Sequence, residues 1–128
     1  ALHDVCSQAV KNLGFLAMFS QEKPPRVKSG SWRSPWRDPK VGEVRKRIRY
    51  GEERSAEVWK RIQSTINNPM AQKEVWLFLG QILSRKSFED KLTMHPPSAE
   101  ALQAAYMLQA TMTHVAAVGG RLRIICEP

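Results

Sequence analysis

Apolar side chains recur at every third or fourth position from Leu2 to Ala17. Leu2, Val5, Cys6, Ala9, Val10, Leu13, Leu16 and Ala17 make one helical face, and Asp4, Gln8, Lys11 and Asn12 turn away from it. Gly14 costs such a helix about 1 kcal/mol relative to alanine. The run from Phe15 to Phe19 is apolar almost all round, so the second half of the helix is expected to be buried.

A second stripe, Val58, Trp59, Ile62 and Ile66, predicts a helix opened by Ser55 as N-cap, with Glu57 in the first turn where the helix dipole favours an acid. Asn67-Asn68-Pro69 ends it and opens another, with Asn68 as cap and Pro69 at the first helical position. That next segment, MAQKEVWLFLGQILSRK, carries Val75, Trp76, Leu77, Phe78, Leu79, Ile82 and Leu83 and closes on Arg85 and Lys86. It is expected to be a central helix. Ser87 to Asp90 resembles a capping box for one more short turn before His95-Pro96-Pro97. Ser98 then caps the longest helix, which runs to the Gly119-Gly120 stop. No charge occurs from Ala101 to Gly120, yet Gln103, Gln109, Thr111, Thr113 and His114 make the segment too polar for an ordinary membrane span. It reads as a buried helix whose small residues let another helix, or a second copy, come close.

Periodicity is lost from Ser20 to Gly42, where Pro24, Pro25, Gly30, Pro35, Pro39 and Gly42 accumulate. Proline removes backbone donors and extends the residue before it, so this stretch predicts a long loop without regular structure. Glu43 to Tyr50, EVRKRIRY, fits a strand with Arg45, Arg47 and Arg49 on one face and Val44, Ile48 and Tyr50 on the other, and fits a helix less well. RLRIICE near the C-terminus has the same alternation. Together, 44–50 and 121–126 predict a two-stranded ribbon with five arginines on one face. The architecture expected is mainly α: a single domain over 1–128 with four or five helices, a basic Pro-rich loop at 20–42 and that small ribbon.

Charge sharpens this picture. The chain has 128 residues, a net charge of +8 and a pI near 9.9. Ten basic residues against Asp38 and Glu43 lie between Lys23 and Tyr50, so the whole formal surplus is in that segment. A concentrated cation favours a polyanionic partner. Six of the ten are arginine, whose planar fork bonds phosphate oxygens in pairs. Trp32, Trp36 and Tyr50 are interleaved with them, and unpaired bases stack on such rings. Trp32-Arg33 and Trp36-Arg37 repeat after four residues, roughly 13 Å along an extended chain. The sequence has no helix-turn-helix, zinc finger or basic zipper with which to enter a duplex groove. The expected contacts are therefore Lys23, Arg26, Lys28, Trp32, Arg33, Trp36, Arg37, Lys40, Arg45, Lys46, Arg47, Arg49 and Tyr50, joined by Arg121 and Arg123.

Catalytic chemistry finds no foothold. His3, His95 and His114 sit in no metal or nucleophile motif, and the glycine patterns of nucleotide-binding loops are missing. Glu57, Glu74 and Glu89 read as solvated charges. Cys6 and Cys126 read as reduced thiols of an intracellular protein, cytoplasmic or nuclear. The chain opens Ala-Leu-His without methionine, which reads as a processed or partial protein. The expectation is a non-enzymatic, sequence-tolerant binder of single-stranded nucleic acid, RNA before DNA, without metal, cofactor or small-molecule substrate. A nucleocapsid-like role in a virion would suit the same features. The alternatives are a helical protein interaction or homo-oligomerisation module, and matrix-like attachment to an anionic membrane surface.

Overall fold

Four α-helices and two two-stranded sheets are formed by residues 1–17, 36–44, 51 and 55–128, which this computed structural model describes. In chain order they are α1 (Leu2–Asn12) with a 3-10 turn (Leu13–Phe15), β1 (Trp36–Asp38), β2 (Gly42–Val44), α2 (Ser55–Asn67), β3 (Lys73–Ser84), α3 (Arg85–Thr93), α4 (Ala99–Ala117) and β4 (Gly120–Glu127). The mainly α expectation is corrected: the fold is mixed α/β. The chain divides into two compact units, one of Ala1–Ala17 with Gln72–Pro128, the other within Met18–Ala71.

The largest correction falls on the segment expected as a central helix. Lys73–Ser84 is a strand of 12 residues. Within five consecutive apolar residues, Val75 to Leu79, helical and strand patterns coincide, and periodicity alone does not separate them. The packing does. Leu77 and Leu79 are 3% and 2% exposed, whereas Trp76 and Phe78 between them are 50% and 69% exposed, the two-residue alternation of a half-buried strand. Asn68 does not cap a helix here. Its side-chain oxygen accepts from the Met70 amide at 2.9 Å and its carbonyl from the Ala71 amide at 3.0 Å, which turns the chain into β3. Arg85 and Lys86 begin α3 rather than ending a helix. Its cap is Ser84, whose Oγ accepts from the Ser87 amide at 3.4 Å.

β3 and β4 pair in parallel, from Lys73 opposite Gly120 to Phe78 opposite Ile125, with irregular register beyond. Parallel strands need a crossover, and α3 and α4 provide it. Cys6, Leu77 and Leu79 form the buried centre. Leu2, Val5 and Ala9 of α1, Leu108 of α4, Val75 and Leu83 of β3, and Leu122 and Cys126 of β4 pack around them. α4 turns Ala101, Ala104, Thr111 and Val115 inward, and Val115 is fully buried. The Thr111 hydroxyl is satisfied by the Met107 carbonyl at 2.8 Å. Elsewhere around α4 Tyr106 and Met112 are exposed, so the helix is buried on one face, not all round. α1 gives way to the 3-10 turn at Leu13, before the expected end, and Phe15 in that turn is exposed, contrary to the burial expected of it. The Leu16 carbonyl there accepts from Lys73 Nζ at 2.8 Å, which ties the turn to the start of β3.

In the second unit, β1 and β2 form an antiparallel hairpin in which Trp36 faces Val44, Arg37 faces Glu43 and Asp38 faces Gly42. Asp38 Oδ1 accepts from the amides of Lys40 and Val41 at 2.8 and 3.0 Å, and Gly42 takes φ +87, which closes the turn around Pro39. α2 follows the expected stripe and buries Trp59 to 5% exposure.

Candidate nucleic-acid interface

Burying Val75, Leu77 and Leu79 on one face of β3 sends Glu74, Trp76 and Phe78 to the other. The β4 residues opposite them are Arg121, Arg123 and Ile125. This side of the ribbon is open to solvent: Phe78 and Ile125 are exposed, and half of Trp76 is. The two rings lie with centroids 6.2 Å apart and planes 22° from parallel.

Glu74 organises the polar part of this face. Its Oε1 accepts from Arg123 Nε at 3.1 Å and Nη2 at 2.9 Å, and its Oε2 accepts from the Trp76 indole Nε1 at 3.0 Å. The Arg123 bonds first, then the indole bond, hold the Glu74 carboxyl below its ordinary range, with the nearby Arg121 charge adding a little. Arg121 makes no salt bridge among the described residues and is exposed. The face therefore combines two aromatic rings, one tethered guanidinium and one untethered guanidinium.

The residues expected from the sequence are distributed unevenly. Lys23, Arg26, Lys28, Trp32 and Arg33, and likewise Arg45, Lys46, Arg47, Arg49 and Tyr50, lie outside the described residues. Trp36 and Arg37 are in β1, so the stretch expected as loop to Gly42 contains a strand and a turn. Arg37 is paired with Glu43 at 3.3 Å across the hairpin, and Lys40 is exposed in its turn. Arg121 and Arg123 are on β4 as expected, but the ribbon predicted between 44–50 and 121–126 is corrected. β4 hydrogen-bonds to β3, in parallel, and Val44 pairs with Trp36. Leu122 stands opposite Val75 and packs on the buried centre, which ties β4 to β3.

Sequence reasoning missed Trp76 and Phe78 as surface residues because it placed them in a helix core, and it read Glu74 as a solvated charge without the partners it holds. The β-branched and aromatic content of Val75, Trp76 and Phe78 was the available signal, and the alternation of RLRIIC supplied the partner strand.

Elsewhere the chemistry is sparse. Among the described residues no three of His, Cys, Asp and Glu gather to hold a metal ion, and Cys6 and Cys126 are free thiols. A cleft of about 330 Å³ beside α4 is lined by Leu83, Phe88, Ala104 and Met107 and by Lys91 and Glu100, which pair with each other at 3.3 Å. A second, of about 400 Å³, is lined by His3, Cys6, Met107, Thr111 and His114. His114 is engaged with the Ala110 carbonyl at 2.7 Å. No helix among the described residues is long and apolar enough to cross a membrane. Comparison of the chain with protein-family models, with curated proteins and with solved structures finds no match.

Proposed function

We propose that this protein is a non-enzymatic binder of single-stranded nucleic acid, RNA before DNA, with little dependence on base sequence. One observation carries the reading: a solvent-open sheet face on which Trp76 and Phe78 lie beside Arg121 and Arg123, in a chain of net charge +8. Exposed rings flanked by guanidinium groups suit unpaired bases and the phosphates that join them. The basic segment from Lys23 to Tyr50 supplies the long-range attraction, and its arginines and lysines are phosphate contacts in this proposal. The free thiols Cys6 and Cys126 agree with an intracellular setting.

Titrating a fluorescent oligonucleotide with the protein at several salt concentrations tests this. If about five to eight phosphates are neutralised, log K falls with log[salt] at a slope of roughly −3.5 to −5.6. Absent binding at low ionic strength, or binding indifferent to salt, would refute the proposal.

A further inference from the structure

Trp76 and Phe78 are neighbours on one face of β3, and their centroid separation of 6.2 Å is close to the spacing of every second residue in a strand, about 6.6 Å. It is also nearly twice the rise of about 3.4 Å between stacked bases. Two bases resting on these rings would be drawn apart from each other, a geometry that an extended single strand adopts and a duplex does not. The Trp76 ring is not loose. Trp76 is anchored at its indole nitrogen by Glu74, and the same carboxylate holds the Arg123 guanidinium, which stands opposite Trp76 in the register. A phosphate joining two such bases would meet Arg121 or Arg123 on the neighbouring strand.

We infer that Trp76 and Phe78 form a two-base stacking step for unpaired nucleobases, with Arg121 and Arg123 facing the intervening backbone and Glu74 as the positioning residue. This rests on the nucleic-acid reading and deepens it: the ligand is recognised by its bases as well as its charge. Complementarity chooses this occupant over a second copy of the chain. A copy applying the same face would bring its own Arg121 and Arg123 toward these two, whereas a nucleic acid strand brings phosphates. The face also offers what a base requires and an acidic peptide does not, two nearly parallel exposed rings.

The experiment uses the full chain, a labelled oligouridine, an abasic strand of equal length and charge, and a duplex of that length. Wild-type protein is expected to bind oligouridine about tenfold or more tightly than the abasic strand, and the duplex no better than the abasic strand. Trp76→Ala and Phe78→Ala should each weaken oligouridine binding about fivefold or more, and the double variant should erase the preference for bases. The salt slope should stay unchanged, since no phosphate contact is removed. Trp76→Phe keeps a ring and should retain most of the affinity, which covers the case in which an alanine variant folds poorly.

Equal affinity for oligouridine and abasic strand, or a double variant that still prefers bases, overturns the stacking step while salt-dependent binding leaves the nucleic-acid reading standing. Duplex bound as tightly as oligouridine overturns it as well. Wild-type binding to none of the strands at low salt removes the underlying reading itself. Self-association of the wild type that the double variant loses, with oligouridine affinity unchanged, assigns the face to a second copy and overturns the inference.

Discussion

Glu74 on β3 grips Arg123 on β4 through a single carboxylate oxygen, Oε1, which accepts from Nε at 3.1 Å and from Nη2 at 2.9 Å. The two residues are not register partners, since Glu74 lies opposite Arg121 and Arg123 lies opposite Trp76. The ion pair is therefore diagonal and pulls Arg123 back along the ribbon. That leaves Oε2 for the Trp76 indole at 3.0 Å. One carboxylate thus sets the position of a ring and of a cation on neighbouring strands.

This arrangement has a pH signature. The Arg123 and Trp76 bonds favour the ionised carboxylate and lower the Glu74 pKa from its ordinary 4.5. A depressed carboxyl contributes stability that is fully present above the unfolded value and is lost as pH falls through the folded one. Thermal melts of wild type and Glu74→Gln should differ at neutral pH, keep that difference down to pH 4.5, and converge only at lower pH. Convergence at higher pH would mean the carboxylate is not held as described. Tryptophan fluorescence should report the release of the indole over the same low-pH range in wild type and not in the variant.

Stability should separate the two faces of β3. Leu77→Ala or Leu79→Ala empties the buried centre and should cost about 2 to 5 kcal/mol. Trp76→Ala or Phe78→Ala removes a half-exposed or exposed ring and should cost about 1 kcal/mol, the scale of a cross-strand pair. A helix buried on all sides would instead lose about 3 to 5 kcal/mol with either ring. Denaturant unfolding of the four variants decides between these patterns, and equal losses at all four positions would contradict the strand.

Local chemistry that ends or starts an element was the legible part of this fold. Ser98 caps α4 and the glycine pair stops it because both signals act within a few residues of the helix ends. The stripe around Trp59 marked α2 for a different reason, a regular period over a sufficient length. Val75 to Leu79 was illegible because five apolar residues in succession satisfy either period, and only a partner strand from the far end of the chain decides the matter. Asn68-Pro69 misled in a related way, since an Asx turn and a helix cap use the same asparagine oxygen. The candidate site followed these errors. Arg121 and Arg123 were read as surface cations from their own alternation, but the rings beside them were assigned to a core, so their juxtaposition emerged only with the parallel pairing.

Gly120 should tolerate no side chain. A β-carbon there would stand 2.9 Å from Val115 Cγ1 and 3.1 Å from the Val115 carbonyl oxygen, and Val115 is fully buried. Neither neighbour has room to retreat, because the carbonyl belongs to the last turn of α4 and the methyl is packed on every side. Gly120→Ala is expected to cost about 1 to 3 kcal/mol through overpacking. Calorimetry should show a melting temperature lower by roughly 3 to 5 °C for each kcal/mol lost. An unchanged melt would mean that α4 and β4 are not joined as closely as this.

The two arginines of β4 should respond differently to neutralisation. Arg121 has no salt bridge among the described residues, so Arg121→Gln removes a cation and breaks no ion pair there. If it meets one phosphate, the salt slope should become shallower by about 0.7. Arg123→Gln removes a cation and also frees Glu74, whose carboxylate then loses its salt-bridge partner and stands opposite Arg121, competing with a phosphate for that guanidinium. Affinity should therefore fall further than for Arg121→Gln, and adding Glu74→Gln to Arg123→Gln should restore part of the loss. Arg85→Gln serves as the comparison, because Arg85 is exposed and paired with Glu89 at 2.8 Å on α3. It should leave both affinity and slope unchanged. Equal effects of all three single neutralisations would show that binding reads net charge alone, and the open face of the ribbon would then have no special part in it.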